Sequence, residues 1–190
     1  MKKFKFICRL FLFLILSGII LVAGIYVYAF FSPKLEIKNA GKVFIYDYEE
    51  NLIYQGSDSN DWISLEDISP NLINAVISVE DKNFYKHQGF DIPRIVKVLF
   101  SNIQNNTRIG ASTISQQYIK NLFLTFDQTW ARKIEEAFLT VELEVHYSKD
   151  EILEGYLNTI NYGEGNYGIE DASQYYFNKS SKDLTLEEAI

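Results

Sequence analysis

At 190 residues, the chain is long enough for one cored domain, and its 25 acidic against 18 basic side chains leave it with a net charge of −7. An acidic balance of this kind excludes a nucleic-acid binder, which needs a basic face. The single cysteine, Cys8, lies among the first basic residues and excludes both an internal disulfide and a thiolate metal site in the rest of the chain.

Lys2, Lys3, Lys5 and Arg9 precede Leu10–Phe31, a run of 22 residues without a charge. As a helix rising ~1.5 Å per residue it would cover about 33 Å, enough to cross a bilayer. The basic flank places residues 1–9 in the cytoplasm as a short tail, residues 10–31 in the membrane and the remainder outside. A cleaved signal peptide would have a shorter apolar region and a small-x-small end. This one ends Tyr28-Ala29-Phe30-Phe31, so a retained anchor is expected. All of the acidic residues but only 14 of the 18 basic ones lie beyond residue 31, so the exported part carries −11. Any anionic ligand must therefore be met by a local basic pocket.

Residues 32–66 read as a polar linker followed by a β-hairpin near the membrane, with KVFIYDY and NLIYQG as strands around Glu49-Glu50-Asn51. From 67 to 190 the pattern is helical, with helices expected at 69–81, 91–104, 112–122, 129–147, 149–158 and 167–177. Glycines at 89, 110 and 163–168 punctuate them. The last residues, LTLEEAI, open an amphipathic helix and stop inside it, so the 67–190 domain is expected to be cut short at its C-terminus. No internal repeat and no low-complexity tract occurs.

Three stretches could carry chemistry. EDKNFYKHQGFD, residues 80–91, follows a helix started by Ser69-Pro70, in which Leu72, Val76 and Val79 recur at helical spacing. Glu80 sits at the edge of that stripe. A partly desolvated carboxylate at the negative end of a helix dipole binds a proton more readily than one in water, which is what a general base needs. An ordinary acidic helix end explains the same pattern. GASTISQQYIKN, residues 110–121, combines a small-residue approach with a Ser112-Thr113 cap, and free N–H groups at a helix start favour an anion. Gln116 and Lys120 share a face of that helix, with Gln117 beside them; a well-capped surface helix is the alternative. In ARKIEEAFLTVELEVHY, residues 131–147, Ile134, Phe138, Val141 and Val145 form an apolar stripe, and Glu135 and Glu142 mark a solvated face. Glu136 keeps company with Leu139, Thr140 and Leu143, and needs a partner such as Arg132; a structural ion pair would suffice. His87 and His146 read as structural. Asp150, Glu151, Glu154, Glu164, Glu170 and Asp171 read as a solvated face.

Taken together, these stretches resemble the family-51 glycosyltransferases, the peptidoglycan polymerase domains of bifunctional penicillin-binding proteins and monofunctional transglycosylases. Glu80, Asp81, Phe84, His87, Gly89 and Asp91 match the first motif. Gly110, Ser112, Thr113, Ile114, Gln116, Gln117, Lys120 and Asn121 match the second, and Arg132, Lys133 and Glu136 the third. Lys149, Ile152, Leu153, Glu154, Tyr156, Leu157 and Asn158 match the fourth, and Tyr167-Gly168-Ile169 opens the fifth. The resemblance implies a mainly α, lysozyme-like helical domain with a small membrane-proximal β-hairpin, preceded by one transmembrane helix.

It also implies polymerisation of lipid II into β-1,4 glycan strands by inverting transfer, with release of undecaprenyl pyrophosphate. Glu80 and Glu136 would be catalytic, with Glu136 acting directly or through a divalent metal, Mg or Mn; no organic cofactor is implied. Asp81, Ser112, Thr113, Gln116, Gln117, Lys120, Arg132 and Lys133 would bind substrate. Partners would be lipid II, the nascent strand, the membrane and divisome or elongasome proteins, with no nucleic acid. The alternative is a truncated, non-catalytic scaffold that binds lipid II. Two positions depart from the family pattern, Gln128 and Glu135, where many members carry Arg and Lys. Phosphate affinity would then be lower, or would rest on Lys120, Arg132 and Lys133.

Overall fold

A computed structural model describes residues 2–37, 44–48, 52–55, 62–107, 109–124, 127 and 129–190. Helix α1 (Lys2–Phe31) is long and apolar enough to cross a membrane, and the fold covers none of its most apolar stretch. It begins eight residues earlier than the uncharged run, because nothing in its basic flank breaks a helix. Strands β1 (Phe44–Tyr46) and β2 (Leu52–Gln55) pair antiparallel, with a register break between Ile45 and Tyr46. The expected hairpin is therefore present; its turn residues Glu49, Glu50 and Asn51 lie outside the described residues.

The remaining chain is helical: α2 (Pro70–Glu80), α3 (Ile92–Asn105), α4 (Ile114–Phe123), α5 (Trp130–His146), α6 (Lys149–Thr159), α7 (Ile169–Phe177) and α8 (Leu186–Ala189). Short 3-10 turns at Leu65–Asp67, Phe84–Lys86 and Ser181–Asp183 join them. Local chemistry explains the boundaries. Thr113 with Gln116, Ser148 with Glu151 and Thr185 with Glu188 form capping boxes at the starts of α4, α6 and α8.

Asp91 caps α3, accepting from the Arg94 N–H at 2.9 Å and from the Asn83 amide at 2.8 Å. Those two donors, the Asn83 amide first, hold its carboxyl below the usual carboxylate range. Because the folded value is depressed, this contribution is present above the unfolded value of about 4 and is lost as pH falls through the folded value. Asp91→Ala is therefore expected to lower stability by about 1 kcal/mol at neutral pH. Denaturant titrations should show the gap to the parent closing as the pH is brought below about 4. A gap that widens on acidification would contradict the cap.

Helix α4 forms the centre of the core. Ile114, Tyr118 and Ile119 are fully buried and join Leu143 of α5 and Ile152, Leu153, Tyr156 and Leu157 of α6, with Phe84 and Ile68 closing the end. Gly155 lets α6 come this close, since a Cβ there would lie 2.1 Å from the Tyr118 hydroxyl. Asn158 and Glu154 on α6 hold the segment before α2. Asn158 exchanges hydrogen bonds with the Ile63 backbone at 2.9 Å, and Glu154 accepts from Trp62 Nε1 at 2.7 Å and the Leu65 N–H at 3.0 Å. The chain leaving α1 is tied in as well: Tyr118 donates to the Ile37 carbonyl at 3.2 Å, and Tyr147 to that of Leu35.

Three expectations are corrected by this packing. On α5 the apolar stripe is buried only in part: Val141 is 6% exposed, but Ile134 is 58% and Phe138 43%, whereas Glu136, Thr140, Leu143 and Glu144 face inwards. On α2, Val79 is 75% exposed, and Leu72, Ile73, Val76 and Ile77 face the core. Of the six acidic residues assigned to a solvated face, Glu154 and Glu170 are structural. Glu170 accepts from the Ser181 N–H at 2.8 Å, just as Glu154 holds Trp62 and Leu65.

Candidate active site

The two carboxylates of interest stand on either side of α4, each read by one of two consecutive glutamines. Gln117 donates to Glu80 Oε2 at 2.7 Å, and Gln116 donates to Glu136 Oε1 at 3.3 Å. Neighbouring residues on a helix diverge by about 100°, so the pair reaches in two directions. Glu80 is half-buried at the end of α2. Its backbone carbonyl accepts from the Arg94 guanidinium, which fixes the helix end without using the carboxylate. Tyr156 donates to Gln117 Oε1 at 3.1 Å and so orients the amide that reads Glu80. Burial, and then the negative charge of Glu80, hold the Tyr156 phenol above its ordinary range.

Asp81 points the other way and is 0% exposed. It accepts from the Ile114 N–H at 3.2 Å and meets His87 Nε2 at 3.0 Å. Thr113, also 0% exposed, caps α4 and donates to the Gly89 carbonyl at 2.6 Å. The turn they hold lies hard against α5: Gly89 has φ +79°, and a Cβ on it would meet Thr140 Cγ2 at 2.7 Å. Asp81 and Thr113, both assigned to substrate from the sequence, lie inside the fold and tie the end of α2 and the turn at Gly89 to the start of α4. His87 belongs to the same interior group, and His146 approaches Ser32 at the end of α1 at 3.5 Å.

On the Glu136 side lies a cavity of about 600 Å³ lined by Gly110, Ser112, Lys120, Thr129, Trp130, Arg132, Lys133 and Glu136. Glu136 is 2% exposed; one oxygen takes Arg132 at 2.8 Å and the other takes Lys133. Lys133 also reaches Ser112 Oγ at 3.3 Å. Arg132 and Lys133 thus engage Glu136, and Lys120 lines the same cavity, so three cationic side chains and one carboxylate meet there. Ser112, Lys120, Arg132, Lys133 and Glu136 meet here as a group. Gln116 is buried behind them, and Glu80 with Gln117 stands across α4. Gln128 lies outside the described residues, and Glu135 is exposed and does not line the cavity.

Sequence reading missed Trp130, Arg94 and Glu144, and took Tyr156 only as part of the fourth motif. Trp130 carried a usable signal, since it lies three residues before Lys133 and so shares its helix face. Glu144, held by Lys149 at 2.7 Å and by the Ser115 hydroxyl, showed none.

The site therefore consists of a half-buried carboxylate on one side of α4 and a cavity lined by three cationic side chains on the other, in a helical domain behind an apolar helix. The Transglycosylase family model matches residues 49–190, and the chain belongs to that family. It is 53% identical over 129 residues to penicillin-binding protein 2D of Bacillus subtilis, covering 67% of this chain and 19% of that protein. It is 41% identical over 204 aligned residues to penicillin-binding protein 1A of Clostridium perfringens, covering 98% and 30%. The biosynthetic peptidoglycan transglycosylase of Klebsiella oxytoca is 50% identical over 131 residues, covering 68% and 54%. The chain thus spans between about a fifth and about half the length of these curated relatives. Family membership and the uncovered apolar helix α1 together mark a membrane-anchored protein.

Proposed function

We propose that the chain is a peptidoglycan glycosyltransferase that polymerises lipid II into β-1,4 glycan strands. The observation that carries this reading is the cationic cavity of Lys120, Arg132 and Lys133 across α4 from Glu80. The growing strand is the donor and lipid II the acceptor. Glu80 takes the proton from the acceptor's 4-hydroxyl as that oxygen bonds to the donor's anomeric carbon and the bond to undecaprenyl pyrophosphate breaks. Lys120, Arg132 and Lys133 meet the charge that develops on the leaving pyrophosphate, where preorganised cations contribute most. Glu136 holds Arg132 and Lys133 in place and, through them, assists departure.

The divalent metal allowed by the family resemblance does not fit the residues present. Glu136 offers one carboxylate, both of whose oxygens are already engaged by cations, and no group of three metal-ligating side chains converges among the described residues. A non-catalytic scaffold is less supported, because it has no use for a carboxylate oriented by Gln117 and Tyr156.

The reading places the N-terminus in the cytoplasm and the catalytic domain outside, with divisome or elongasome proteins as partners where wall is built. A reporter that is active only after export, fused after Ile190, is expected to be active. The catalytic reading is tested by sizing the products made from lipid II by the full chain. Lys120→Ala is expected to weaken donor binding by about 1.5–3 kcal/mol, the scale of a charge-assisted hydrogen bond, with an unchanged circular dichroism spectrum. Polymerisation at the parent rate would make Lys120 a surface residue.

A further inference from the structure

Helix α3 is strongly two-faced. Ile92, Val96, Leu99, Phe100 and Ile103 recur at steps of three and four and form one stripe, and all five are exposed. A stripe of this width ordinarily packs on a core. Its first residue instead walls a groove with Val22, Ile25 and Tyr26 of α1. Ile25 and Val22 lie six and nine residues before the end of α1 at Phe31, which at ~1.5 Å per residue is about 9 and 14 Å inside it. Helix α3 therefore starts beside the membrane-crossing run, and the bilayer is what meets its apolar stripe.

The other flank of α3 faces the end of α2 across a cavity of about 500 Å³. Lys82, Arg94 and Lys97 line it, with Asp91 as its one carboxylate and Ser78 and Ser101 as hydroxyls. Arg94 and Asp91 are committed elsewhere, the guanidinium to the Glu80 carbonyl and the carboxylate to Asn83 and the Arg94 N–H. Lys82 and Lys97 have no hydrogen-bond or ion-pair partner among the described residues. Two lysines left without a carboxylate in so acidic a domain make this cavity a place for an anion. Lys97 stands three residues before Phe100, at the edge of the apolar stripe, so the charge and the bilayer-facing surface adjoin. The cavity shares no lining residue with the one around Lys120, and the Glu80 carboxylate turns away from it towards Gln117.

We infer that this cavity is a headgroup site for an anionic phospholipid of the surrounding bilayer. Lys82 and Lys97 meet its phosphate, the serine hydroxyls meet the polar headgroup, and its acyl chains lie along the stripe of α3. Lysine suits this border, because its stem rests on apolar surface while its ammonium reaches the phosphate layer. A lipid-linked sugar substrate fits less well, since it must bring a reacting atom to the Glu80 carboxylate, which is not in the cavity wall. The inference rests on the anchoring of α1 and is independent of the reaction assigned to Glu80.

The test uses the full chain in phosphatidylcholine nanodiscs that contain a small fraction of photoactivatable phosphatidylglycerol. Labelling should concentrate between Val79 and Ser101. Unlabelled phosphatidylglycerol should compete about 25-fold better than phosphatidylcholine, about fivefold for each lysine at an anionic headgroup. Lys82→Gln and Lys97→Gln should each reduce that preference about fivefold. Their Tm should match the parent's, because neither side chain holds a contact in the fold. Lys86→Gln, which changes an exposed lysine outside the cavity, should behave as the parent. Equal competition by the two phospholipids overturns the inference. So does an equal loss in Lys86→Gln, by assigning the preference to general surface charge. Displacement of the label by inorganic phosphate, or by lipid II at lower concentration than phosphatidylglycerol, overturns it too, by giving the cavity to a free anion or to a sugar-linked lipid.

Discussion

Glu80→Gln is expected to lower glycan formation by about 10²–10⁴-fold, the usual worth of a positioned general base. The substitution preserves shape, and an amide oxygen can still accept from Gln117, which donates to Glu80 at 2.7 Å. What is lost is the capacity to take the proton from the acceptor hydroxyl. Lipid II binding should survive, because the cations of the Glu136 cavity are untouched. Asp81→Asn provides the contrast: Asp81 is fully buried against Ile114 and His87, so its change should appear in thermal stability as well as rate. Polymerisation by Glu80→Gln within tenfold of the parent would move the base elsewhere, with Glu136 the next candidate.

The second large effect concerns stability and reverses an ordinary rule. Gly→Ala inside a helix usually stabilises by about 0.5–1 kcal/mol, because glycine loses more backbone freedom on folding. At Gly155, in the middle of α6, the added methyl would lie 2.1 Å from the Tyr118 hydroxyl and 2.5 Å from its Cζ. Tyr118 is 0% exposed and bonds the Ile37 carbonyl, so the ring cannot withdraw without breaking the tie to the segment after α1. Gly155→Ala is therefore expected to destabilise by about 1–3 kcal/mol, as overpacked cores do. For a domain of this size that is a fall in Tm of about 2–4 °C per kcal/mol. Adding Tyr118→Phe removes the closest atom and should restore part of the loss. A Tm at or above the parent's for Gly155→Ala alone would show that α4 and α6 have room to part.

Much of the molecule is determined by local sequence. The spanning helix is set by 22 uncharged residues, and the helix starts by Pro70 at the first position of α2 and by Thr113, Thr129 and Ser148, whose side chains satisfy free N–H groups within one turn. These are interactions between residues a few positions apart, so the order of residues contains them. The grouping of Ser112, Lys120, Arg132, Lys133 and Glu136 was implied by the family resemblance. Only the tertiary structure decided which face of α5 is buried, because an apolar stripe states what a helix can bury and not which neighbour arrives. There α4 and α6 take the face bearing Glu136, Thr140 and Leu143, and α1 leaves Ile134 and Phe138 beside an open groove. In the same way, Asp81 and Thr113 became interior residues, and Glu154 a clamp on Trp62 and Leu65, through partners 24 to 92 positions away. Contacts over such separations depend on how the helices assemble, and side-chain chemistry read along the chain does not specify that.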